Sequence, residues 1–131
     1  MKNYLFLLSL FILFILPFGC DGCGDDEEEY EFYRTIIQGE SVIIDLEASP
    51  FSWSGVITTP PKHAQMYQFD ADAGQDSYFY FYRAASDYCG IDTSYIKFTR
   101  IHENGSFVYK KPTYMFYTIK INTIQDTLQG N

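Results

Sequence analysis

A chain of 131 residues with 47% hydrophobic and 19% aromatic content has room for one small globular domain and its appendages. The formal net charge of -8 is concentrated: seven of 17 acidic residues (Asp21, Asp25, Asp26, Glu27, Glu28, Glu29 and Glu31) precede Phe32, after which 8 basic residues stand against 10 acidic ones. No basic stripe is left to displace counterions from phosphates, which excludes nucleic acid as a partner.

The chain begins with Lys2 and an apolar run from Tyr4 to Leu16. A basic start and a short apolar core are the pattern of a secretory signal, here assigned to residues 1–19. The run is short for a membrane span, which takes about 20 helical residues. Gly19 before Cys20 resembles a bacterial lipoprotein signal, although Pro17 and Phe18 depart from its usual aliphatic and small residues. That resemblance implies a diacylglycerol on the Cys20 sulfur and anchorage in the outer membrane. An uncleaved anchor, or a signal cut elsewhere, is the alternative. Residues 20–31 then form an acidic tether that self-repulsion keeps extended and solvated. Acid directly after such a cysteine also resembles the export signal of surface-exposed lipoproteins. In an oxidising envelope Cys23 and Cys89 are free to pair, and the sequence leaves open whether they do.

From Phe32 the pattern is one of short strand-like runs divided by turn signals, with no sustained helical period. FYRTII (Phe32 to Ile37) and SVIIDL (Ser41 to Leu46) come first, and Val42, Ile44 and Leu46 share one face by the period of two. EASPFSWSG reads as a loop. GVITT, the rigid PPKH turn and AQMYQF (Ala64 to Phe69) follow, then the polar DADAGQD. SYFYFYRAA (Ser77 to Ala85) is aromatic on both faces and reads as a central strand. SYIKFTRI (Ser94 to Ile101) and TYMFYTIKIN (Thr113 to Asn122) complete the set, with Asn104-Gly105 suiting a tight hairpin to Phe107–Lys110. About seven strands at near-regular spacing predict an all-β, immunoglobulin-like antiparallel sandwich over residues 32–122, with a flexible tail at 123–131. The expected layout gathers the connecting turns at one tip and moors the opposite end through the lipid.

Converging catalytic groups are scarce. His63 follows a Pro-Pro turn and His102 adjoins the Asn-Gly turn, neither in a metal-ligand spacing. A Cys89–His102 nucleophile pair would need an electropositive cleft that this composition does not supply. Asp70, Asp72 and Asp76 take the first, third and seventh places of a calcium-loop spacing, but Gly74, Gln75 and Phe81 stand where further oxygen ligands and the turn glycine belong. The expectation is a non-enzymatic domain without metal or cofactor. Its candidate recognition residues are the loop aromatics Phe51 and Trp53.

QGESVIIDLEASP with a following SG, GQDSYFYFYRA, GIDTSYIKFTR and MFYTIKIN, in that order, resemble the chagasin family of cysteine-protease inhibitors. The resemblance implies a sandwich that wedges three loops across the cleft of a papain-like protease. Carried over, the first loop holds Ser49, Pro50 and Gly55, with Phe51 to Ser54 replacing a shorter Thr-Thr element. The second rests on Gly74 in place of a glycine run. The third follows Arg100, with Ile101 and His102 where the family has Pro and Trp. The other reading is a surface recognition or adhesion module that binds glycan or protein through the same aromatic loops.

Overall fold

The structure, a computed structural model, describes residues 26–72, 74–101 and 112–129. The leader, Cys20, Cys23, His102 and the Asn104-Gly105 hairpin lie outside the described residues. Among the described residues there are seven strands: β1 (Glu27–Ile37), β2 (Ser41–Asp45), β3 (Trp53–Thr59), β4 (Ala64–Asp72), β5 (Ser77–Ala84), β6 (Gly90–Arg100) and β7 (Tyr114–Ile124). They form two sheets, β1-β7-β6-β3 and β2-β5-β4. This is the all-β immunoglobulin-like sandwich that the strand pattern predicts, with β5 central in its sheet. Every pairing is antiparallel except that of β1 with β7, which is parallel.

Period-two alternation builds the core. Met115, Tyr117, Ile119, Ile121 and Thr123 of β7 are buried while the residues between them are half-buried. Ile44 and Leu46 point inward from the other sheet, and Val42 packs beside them. Aromatic side chains join the layers: Phe69 stacks on Tyr78 with centroids 5.2 Å apart, and Phe98 meets both edge-on at 5.9 and 5.1 Å. Burial holds the Tyr80 and Tyr117 phenols neutral, pushing each up to about 12, and raises Tyr82 further.

Three features differ from the sequence reading. β1 begins at Glu27, inside the stretch expected to be a solvated tether through Glu31. Its backbone pairs with β7 while its glutamates stay in water at the sheet edge, Tyr30 packs on Tyr117 at 4.9 Å, and Lys120 bonds Glu31 at 2.8 Å. β4 runs on through Asp70 to Asp72, so that half of the expected polar loop is strand, and β7 extends to Ile124.

The third difference concerns direction. β1 runs parallel to β7, with Glu27 opposite Tyr114, and the Asp26 carbonyl accepts the Thr113 amide at 2.9 Å. The chain therefore enters the domain at the same end as the β2–β3, β4–β5 and β6–β7 connections, not at the opposite one. Cys89, exposed, lies before β6 at the far end, where Gly90 pairs with Thr123.

Candidate functional site

The tip is built by local side-chain bonds and then tied together across loops. The Asp45 carboxylate accepts the Glu47 amide at 2.8 Å, and Glu47, at φ 53°, bulges outward between two buried neighbours, Leu46 and Ala48. Both neighbours still pair with β5, through Leu46 N to Tyr78 O and Tyr78 N to Ala48 O, each 2.9 Å. The chain then turns about Ser49, whose carbonyl accepts the amides of Ser52 at 3.1 Å and Trp53 at 2.9 Å. Across the tip, Asp72 accepts Gly74 N at 2.9 Å and Gln75 N at 3.3 Å through one carboxylate oxygen, which shapes the β4–β5 turn. Asp76 completes that turn at φ 53°.

Three interactions join these segments. The Ser49 hydroxyl donates to the Asp76 carboxylate, linking the β2–β3 loop to the β4–β5 turn. The Ile101 amide donates to Ser52 O at 2.8 Å, bringing in the end of β6. Arg100 lays its guanidinium over the Trp53 ring at 4.3 Å and donates from Nε to Pro112 O at 2.8 Å, which fixes the approach to β7. Phe51 projects from this assembly 65% exposed, and Ile101, whose amide bonds the Ser52 carbonyl, is 42% exposed. A rigid apex carrying one bare aromatic ring suits insertion into an apolar pocket, because little loop entropy remains to be lost on binding.

Ser49, Pro50, Phe51, Trp53, Gly74 and Arg100 all fall at or beneath this tip; His102 lies outside the described residues. Trp53 and Gly55, both expected in the first loop, do different work from that of exposed recognition residues. Trp53 is only 8% exposed, capped by Arg100. It plugs the sandwich end, leaving Phe51 as the exposed loop aromatic among the described residues. Gly55 lies within β3, where a Cβ would stand 2.5 Å from the Phe98 ring and 2.6 Å from that of Phe69. Its lack of a side chain makes room for the aromatic core. Ile101 and Asp76 are tip residues that the sequence reading names in other roles, Ile101 where the family has Pro and Asp76 at the seventh place of an incomplete calcium loop. Nothing local points to the bond of Asp76 to Ser49, which spans 27 residues.

No protein family and no curated protein matches this sequence. Solved structures do. The cysteine protease inhibitor EhICP2 from Entamoeba histolytica is similar over 76% of this chain and 100% of its own, with 14% identity and a TM-score of 0.34. A cysteine protease inhibitor is thus among the structures this chain resembles. Amebosin is similar over 77% of this chain and 100% of its own, with 16% identity and a TM-score of 0.37. A sialyltransferase from Photobacterium damsela is similar over 73% of this chain and 18% of its own, with 11% identity and a TM-score of 0.32. Among the described residues, no three His, Cys, Asp or Glu side chains come together as a metal site.

Proposed function

We propose that this chain is a non-enzymatic binding domain whose three-loop tip engages a protein partner, and that the partner is a papain-like cysteine protease. The observation that carries the reading is the mutual bonding of the three connections around an exposed Phe51. These are the connections onto which the chagasin-like sequence pieces map the inhibitory loops. Inhibition requires no chemistry from the tip: Phe51 and Ile101 fill apolar subsites and exclude water, while the backbone around Ser49 to Ser52 blocks access to the thiol. Purified protein is expected to suppress papain or a bacterial papain-like protease at micromolar excess, without being cleaved. Full residual activity at that excess would refute the protease reading. The glycan reading through loop aromatics is weakened by the burial of Trp53, which removes the larger stacking surface.

We also propose that Cys20 carries the lipid and holds the domain at the bacterial outer membrane. The support is the signal-like leader ending in Gly19-Cys20 and the acid that follows. Palmitate label that is incorporated and then lost in Cys20→Ser is the expected result; label retained in the variant would overturn it. The two proposals constrain each other. Only five residues lie between Cys20 and Asp26, a reach of about 20 Å, so an acylated chain keeps its tip close to the bilayer. A protease approaching from solution meets a crowded site. A long Gly/Ser insertion after Asp25 should therefore improve inhibition on intact cells and leave inhibition by detergent-solubilised protein unchanged.

A further inference from the structure

The outer face of the three-stranded sheet carries a recess that borders the β4–β5 turn of the tip. Ile43, Asp45, Asp72, Gln75, Ser77 and Phe79 are among the residues lining this open volume of about 240 Å³. It begins where β2 ends and the β4–β5 turn starts. Its floor is apolar: Ile43 is 69% exposed on the sheet surface and Phe79 is half-buried beside it, two positions along β5 from the Ile43 partner Phe81. Its rim is anionic and its carboxylates are held in place. Asp45 accepts the Ser77 hydroxyl and the Glu47 amide, and these bonds hold its carboxyl below the usual carboxylate range. Asp72 accepts two turn amides.

Among the described residues, no basic side chain lines the recess. Arg83 shares the face, but it sits opposite Ser41 and Met66, about 13 Å along β5 from Phe79. Arg100 is committed to Trp53 and Pro112 at the tip. An apolar floor between fixed carboxylates, with no cation among the described residues that line it, complements one kind of group: a cation on an apolar stem. The volume suits a single side chain, being smaller than the roughly 300 Å³ at which small-molecule pockets begin.

We propose that this recess receives an arginine side chain from a protein partner. The methylene stem covers Ile43, the guanidinium stacks against Phe79, and its forked N–H groups reach Asp45 and Asp72. Arginine is favoured over lysine because a planar, weakly hydrated fork can stack and span two carboxylates at once. The site shares the β4–β5 turn with the tip but uses neither Phe51 nor the end of β6.

The test is a heteronuclear NMR titration of the protein with a tetra-arginine peptide at low and at physiological salt, with tetra-norleucine and tetra-glutamate peptides as controls. The expected result is saturable movement of the Ile43, Ser77 and Phe79 amides with the arginine peptide alone, weakening as salt rises. Asp72→Asn should reduce the affinity about tenfold. Ile43→Arg, a surface change that places a cation in the recess in cis, should abolish binding while preserving the dispersed spectrum. Shifts confined to Glu27–Glu31 of β1, equal affinity in both variants, or equal binding of norleucine would each overturn the proposal. No protease is present in the titration, so its failure leaves the tip reading to its own assay.

Discussion

The two ends of the sandwich use the same device to opposite effect. At the base, the Asp92 carboxylate is 4% exposed and accepts three donors: the Lys62 amide at 2.9 Å, the His63 amide at 2.7 Å and the Tyr82 hydroxyl at 3.1 Å. These bonds lock the Pro-Pro turn shut, and the His63 ring stacks on Tyr88 at 3.8 Å over it. At the tip, the Asp76 carboxylate bonds Ser49 in the open, and the loops it ties hold Phe51 out in solvent. A carboxylate buried among fixed donors serves the fold. A carboxylate that pins loops at the surface shapes a binding edge. The base is therefore expected to govern stability and the tip to govern binding.

The largest effect should come from breaking the base. Asp92→Ala leaves two backbone amides and a phenol without their acceptor and should cost about 3 kcal/mol, read as a lower denaturation midpoint. Gly55→Ala should cost about 2 kcal/mol, because the added methyl must displace the Phe98 and Phe69 rings rather than water. Phe51→Ala should leave the thermal midpoint almost unmoved, within about 0.5 kcal/mol, as expected for an exposed side chain. Its consequence should appear in binding instead, as a loss of about 2 kcal/mol in affinity for the partner.

The smallest effects are those of pH. The phenols of Tyr80 and Tyr117 titrate near 12 when folded and near 10 when unfolded, so the folded state favours their neutral form. Their contribution is complete below pH 10 and fades as pH rises towards 12. Phenolate absorbance from Tyr80 and Tyr117 should thus appear only with unfolding. At the acid end, the lowered carboxyl of Asp45 contributes above its ordinary value of 3.8, and that contribution is lost as pH falls through the folded value. A single phenolate phase at ordinary pH would contradict the core assignment of Tyr80 and Tyr117.

Strand faces are legible in the sequence because alternation is local: Ile44 and Leu46 point inward as their spacing requires, and the two-faced aromatic run of β5 is central. The positions of the loops are legible too, since Ser49 to Ser52 and Gly74 carry turn chemistry that needs no distant partner. The orientation of Trp53 is not. Whether a loop aromatic faces solvent or the core depends on Arg100 arriving from another strand to cover it. The acid-rich first half of β1, Glu27 to Glu31, escapes detection for a similar reason: its composition reads as solvated, and only parallel pairing with β7 makes it strand. That pairing also decides where the chain enters, which no local pattern encodes.

The most direct test compares papain inhibition by the unmodified protein, by Phe51→Ala at the tip and by His63→Ala at the base, all three verified as folded. The account predicts inhibition weakened at least tenfold in the tip variant and retained in the base variant. Equal inhibition by all three, or loss confined to His63→Ala, would contradict it.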